Sequence, residues 1–354
     1  MNPIGHNPVL RFAVAALLIT AGSPVSRAAE KGMDLKTLIT FLGFSEDESK
    51  KVAGGEVVAS ILPRTGEKRE VAIAGVSRIE ANTECFLARF RDIETFKKNP
   101  AVLRIGKLDL PVDSDGLAQL TLGANDLSSL RDCRPGECGV KLPAGMIEQL
   151  RQDVNWSSPE HAAYVQAVFR ERLFDYLQKY LSEGNTALIA YQDKSKPVHM
   201  AEEFRSLLAA KPSLSELIPA FYEYLADYPA APLNGVDDFL YWSIENFGFK
   251  PVTSVTHVII FRQSGFAAIA SKQIYASHYF DASLGLTFVL DDPDSPGTMY
   301  LAYLNRSRID LLGGFLGGIR RMVLRGRLMD GFKKNLQEVA RKVGASCDAS
   351  PDRR

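Results

Sequence analysis

The 354 residues are 46% hydrophobic and 24% charged, with 42 basic and 42 acidic side chains. That is ordinary for a soluble globular chain with room for one large core or two small ones. It leaves no basic excess for a whole-protein nucleic-acid binder.

Arg11 precedes an apolar run over residues 12–19, which Gly22, Ser23 and Pro24 break. Ser26 and Ala28 are the small residues a signal peptidase reads, so the pattern predicts export and cleavage after Ala28 into the periplasm or medium. The run is far short of the roughly 20 residues that span a bilayer. Cleavage removes Arg11 and Arg27 and no acid from the balanced 42 and 42, which leaves a charge of about −2.

Residues 34–53 read as two short helices, the second opened by a capping box of Ser45 and Glu48 and closed by Gly54-Gly55. A strand or extended lead-in follows at 57–62. Residues 70–80 alternate with Val71, Ile73 and Ile79 on one side, as a strand should. Asn82 caps a helix that buries Phe86, Phe90 and Ile93, with Cys85 on its apolar side as a buried free thiol. Residues 101–110 return to strand character.

From about 117 to 248 the pattern is mainly helical. Asp126 caps a short helix, Pro143 opens another, and Ser158 caps the longest, with Pro159 at its first position and a stripe from Val165 to Leu181. Further helices are expected at 199–210, 214–228 and 237–247. Cys133 and Cys138 flank Pro135-Gly136, a turn that suits a small disulfide loop in an oxidising compartment. The competing reading, half a zinc site, lacks a second pair of ligands at metal spacing.

Strand signals then recur at 253–261, 267–280, 284–290 and 298–305, separated by turn formers, which predicts an antiparallel meander. After Gly313-Gly314 and Gly317-Gly318 the period changes. Ile319, Val323, Leu328, Phe332, Leu336, Val339 and Val343 mark one face of a helix over 319–343. Its other face is basic, with Arg320, Arg321, Arg325, Arg327, Lys333, Lys334, Arg341 and Lys342. The two β-rich parts are expected to join in one sheet, because neither protects its edges alone. The helical block between them is then an insertion.

The strand at 70–80, entering a helix through Glu80-Ala81-Asn82-Thr83-Glu84 and continuing to Ile93, resembles the opening of START-like, helix-grip proteins. These form the polyketide cyclase and lipid-transfer superfamily. The strands and helix at 253–343 resemble that family's ending. The resemblance implies an α+β fold whose curved antiparallel sheet wraps a long C-terminal helix and leaves an apolar cavity between them. On this reading residues 29–112 and 249–345 form the START-like domain, 113–248 the helical insertion and 346–354 a flexible tail.

No nucleophile elbow, phosphate loop, zinc-protease helix or dinucleotide fingerprint is present, and no cofactor or metal is implied. The glycines at 313–318 do not fit a phosphate motif, and Asp291 to Gly297 reads as a hairpin turn rather than a calcium loop. The stretch 272–281 (KQIYASHYFD) is unusual, since alternation puts Gln273, Tyr275, Ser277, Tyr279 and Asp281 on one face and Lys272 and His278 on the other. Tyr275, Tyr279, His278, Tyr303 and Phe332 are the candidate lining of a cavity for a partly polar ligand. The leading expectation is non-catalytic binding of a lipid or another amphiphile, with peripheral contact to an anionic membrane through the basic helix face. The alternatives are a cavity enzyme of cyclase or dehydratase type, with His278 as general base and a tyrosine as acid, and an envelope scaffold docking a partner through its helical block.

Overall fold

The computed structural model describes residues 33–248, 250–312 and 317–348, the last helix by backbone alone over 317–328 and at 348. The signal-peptide reading of 1–28, the glycines at 313–316 and the tail beyond 348 lie outside these residues, as do the side chains of Ile319, Val323 and Leu328.

The strands are β1 (Val58–Ile61), β2 (Glu70–Ile79), β3 (Val102–Leu108), β4 (Ala190–Tyr191), β5 (Val198–His199), β6 (Val236–Glu245), β7 (Val252–Gln263), β8 (Phe266–Ala276), β9 (Phe280–Asp291) and β10 (Met299–Ile309). All but β4 and β5 form one antiparallel sheet in the order β1-β2-β10-β9-β8-β7-β6-β3. The early strand β2 thus pairs with the last strand β10, with Ile73 opposite Asn305. Val71 and Ile73 share a sheet with Val258 and Ile260, as the edge argument requires.

The helices are α1 (Leu35–Phe41), α2 (Glu46–Ala53), α3 (Thr83–Arg91), α4 (Ile93–Phe96), α5 (Ala124–Leu130), α6 (Ala144–Asp153), α7 (His161–Glu183), α8 (Met200–Leu208), α9 (Leu214–Leu217), α10 (Pro219–Ala226) and α11 (Gly317–Asp348). The capping box of Ser45 and Glu48 opens α2, and the Asn82 side chain accepts from Cys85 N at the start of α3. Pro219 at the first turn of α10 divides the helix expected over 214–228.

Both faces of the sheet are covered. One carries α1, α2 and the helical block, in a core that includes Phe169, Tyr180, Phe221, Val255, Ile259, Phe288 and Ala302. The other carries α3, α4 and the C-terminal half of α11, with Phe86, Phe90, Phe332 and Leu336 against Ile79, Val258, Ile269, Val289 and Leu301. This double burial explains why residues 237–247 read as a helix yet form β6. Phe239 and Tyr241 serve one core while Leu240 and Trp242 serve the other, so no polar alternation is left.

Buried ion pairs fasten the helical block to the sheet. Asp281 on β9 pairs with Arg69 and with Lys141, 2.8 Å away. Glu203 on α8 pairs with Arg69 and Arg308, and Glu70 with Arg306 at 2.5 Å. Because each charge has a partner, the network can be buried without leaving an isolated ion, and its loss would be costly.

Two disulfides are present. Cys133–Cys138 closes with its Cα atoms 4.5 Å apart, as the Pro-Gly turn predicts. Cys85 is not a free thiol: it bonds Cys347, with the Cα atoms 6.0 Å apart, and ties α3 to the end of α11. Residues 346–348 are therefore helix rather than part of a loose tail.

Candidate functional site

Cross-strand register places side chains in rows on the α11 side of the sheet. One row runs Ile260, Ile269, Thr287, Tyr303, Gly75 across β7, β8, β9, β10 and β2. The next runs Phe239, Val258, Ser271, Gly285, Asn305, Ile73. Beyond it Tyr241, Thr256 and Gln273 are neighbours, then Ser243 and Ser254. The face thus changes along the strands from apolar, beneath α3 and the end of α11, to hydroxyl and amide. Period-two alternation keeps these polar residues on the same face as Val258, Ile269 and Val289.

Part of the polar half is internally bonded. Ser283 and Ser307 hydroxyls lie 2.7 Å apart, the Asn305 amide donates to Ser283 at 3.3 Å and to the Tyr303 hydroxyl at 3.4 Å, and Ser243 donates to Glu245 at 2.7 Å. The middle is not. Among the described residues, the side chains of Thr256, Ser271, Gln273 and Thr287 have no hydrogen-bond partner, and Gln273 Oε1 is fully buried. Buried polar atoms in a folded protein almost always have partners, so the bare Gln273 Oε1 is exceptional.

The charged groups here compensate each other. Lys97 Nζ lies 2.8 Å from Glu245 and 3.2 Å from the Tyr241 hydroxyl. Burial alone would push the Lys97 ammonium down, but Tyr241 and Glu245 outweigh it and hold it above its ordinary value. Tyr303 is raised, first by burial, and it also feels Lys97, Tyr241 and Glu245.

Tyr303 and Phe332 meet on this face with ring centroids 5.9 Å apart. Tyr275 does not join them. The β7–β8 register shifts between Val255 and Thr256, so Ile274 is an extra residue and Tyr275 turns to the opposite face. There it packs against Phe169 and Tyr191. His278 and Tyr279 lie in the β8–β9 turn, where sequence alternation no longer applies. His278 Nε2 sits 3.0 Å from Asp126 Oδ1 without hydrogen-bond alignment. Tyr279 has φ 60, and its hydroxyl accepts from Lys250 N at 2.9 Å. Of the five expected lining residues, Tyr303 and Phe332 come together and the other three are elsewhere.

A second polar chain lies on the helical-block side. His257 is fully buried, with Nε2 2.9 Å from Asp238 and Nδ1 2.9 Å from the Tyr180 hydroxyl. The carboxylate fixes the proton on Nε2, so Nδ1 accepts from Tyr180, whose oxygen accepts from Lys272 at 3.2 Å. Lys272 also bonds Asn185 and sits 4.0 Å from the Phe204 ring centre, with no carboxylate partner. Burial pushes its amine well below the ordinary value. Burial also pushes His257 down, against the Asp238 hydrogen bond. This chain is sealed inside the core.

A surface depression of about 810 Å³ is lined by the Cys133–Cys138 loop, Ser129, Asp193 and Lys194. It is open to solvent, and Asp193 and Lys194 already pair with Lys141 and Asp310. No group of three or more potential metal ligands occurs among the described residues.

Thr256, Ser271, Gln273 and Thr287 escaped sequence reasoning because each sits in a strand buried on both sides. Their signal was a hydroxyl or amide at every second position beside apolar neighbours. No model of a known protein family matches the chain, and no curated protein matches it significantly.

Proposed function

We propose that this is an exported, START-like binding protein that holds a small amphiphilic molecule between the polar rows of the sheet and the N-terminal half of α11, without catalysis. The observation that carries this reading is the set of unpartnered polar side chains Thr256, Ser271, Gln273 and Thr287 on the α11 side of the sheet, with Gln273 Oε1 buried. Ligand sites pair an apolar wall with a few convergent polar groups, and here apolar and polar rows adjoin.

The direction of α11 supports the location. Gly344 lies beside Glu80, and Phe332 and Leu336 lie over Gly75. The helix therefore descends along β2, and at 1.5 Å per residue its earlier turns continue past Ile73 and Val71 toward the polar end. The strand order, with two helices after β2 and a long final helix, supports the helix-grip reading. The two disulfides support an oxidising compartment. The buried pairs His278–Asp126 and His257–Asp238 belong to the opposite side of the sheet, which favours binding over the cyclase-type alternative.

Native mass spectrometry of detergent-free protein from the cell envelope tests this reading. It should detect a non-covalent small molecule that is lost from a Ser271→Leu variant. Adduct-free spectra for both proteins, with no ligand recovered by extraction, would contradict it.

A further inference from the structure

We infer that the recess selects an uncharged ligand bearing hydroxyl groups, such as a glycoside or polyol head group, over a carboxylate or phosphate. This inference rests on the binding reading above and specifies the chemistry of its ligand.

Gln273 Oε1 is a buried acceptor with no donor among the described residues. A ligand must bring an O–H or N–H to satisfy it, whereas an ionised carboxylate offers only acceptors. Thr256 lies directly opposite Gln273 on β7, and Ser271 is two residues back on the same face of β8. Hydroxyls both donate and accept, so the two match a polyhydroxylated surface without requiring a fixed charge.

The local charge points the same way. Lys97 and Glu245 form a closed pair, and Ser243 also donates to Glu245. Lys107, opposite Tyr241 on β3, has no carboxylate partner among the described residues, but it lies over the Phe239 ring, 4.8 Å from its centre, and its strand is three strands from Gln273. Moving an unpaired anion into such a recess carries a large desolvation cost that a neutral head group avoids.

Calorimetric titration of the mature chain would compare octyl glucoside, kept below its micelle threshold, with octanoate and octyltrimethylammonium, which carry the same tail. The expected result is saturable binding of octyl glucoside, at least tenfold tighter than either ion. Gln273→Leu and Thr256→Val should each weaken that binding several-fold, up to about tenfold, the loss of roughly one hydrogen bond. Thr256→Val is a near-isosteric check should the Leu variant fold poorly. Octanoate binding as tightly as the glucoside, or glucoside binding indifferent to both substitutions, overturns the assignment of ligand class and leaves the recess reading intact. Failure of all three probes to bind, together with adduct-free native spectra, overturns the recess reading itself.

Discussion

Gly75 lies beneath Phe332 so closely that a β-carbon on it would come within 2.8 Å of the ring and 2.6 Å of Leu336 Cδ1. Glycine at this point of β2 lets α11 approach the sheet closely. Phe332→Ala should cost about 3–5 kcal/mol in urea unfolding. Gly75→Val should cost about 1–3 kcal/mol by overpacking. Wild-type stability in both would show that this contact does not hold α11.

The two disulfides should differ in weight. Cys85–Cys347 spans 262 residues and Cys133–Cys138 only 5. Chain-entropy reasoning gives about 5 kcal/mol for the long closure and about 2 kcal/mol for the short one. Thermal melts of Cys347→Ser and Cys138→Ser should therefore show the larger loss for Cys347→Ser. Alkylation of any thiol in the oxidised, non-reduced protein would count against the pairing.

Lys272 gives a pH signature. Its folded-state pKa lies below the ordinary 10.5, so between the two values the unfolded chain carries a proton the folded chain lacks. Stability from this group rises with pH through that window, by about 1.4 kcal/mol per unit, and levels off above 10.5. His257 has the same sign below its ordinary 6.5. Lys141 is raised, and its contribution is lost only above 10.5, outside the window. Unfolding of wild type and Lys272→Met from pH 7 to 10 should show the wild type gaining on the variant as pH rises. Parallel curves would mean that Lys272 is charged in the fold.

The exposed lysines and arginine of α11, Lys333, Lys334, Lys342 and Arg341, offer a basic face to an anionic membrane surface. Flotation with phosphatidylserine vesicles should recover the protein at low salt and lose it at high salt, where screening shortens to a few ångströms. Recovery indifferent to salt and to lipid charge would remove this contact.

Much of the frame was legible in the chain, because local chemistry decided it. Ser45 with Glu48 and Asn82 mark helix starts, and Pro135-Gly136 sets a loop that brings Cys133 to Cys138. That β2 joins the late strands in one sheet followed from the need to protect sheet edges. The rest depended on distant partners. Nothing near Cys85 points to Cys347, and nothing in 272–281 announces that Ile274 is an extra residue sending Tyr275 to the other core. β6 was hidden because two cores erase its alternation. Tyr303 and Phe332, expected together, do meet, whereas Thr256, Ser271 and Thr287 were hidden in strands buried on both sides.

The central claim is that space for a ligand lies between the polar rows and α11. A high-resolution crystal structure of the mature protein grown with octyl glucoside tests it most directly. The account predicts density for the glucosyl group within hydrogen-bond distance of Gln273 Oε1, with Thr256 and Ser271 as further partners. Side chains of α11 packed directly onto Ser271, Gln273 and Thr287, with no room for a molecule between, would contradict it.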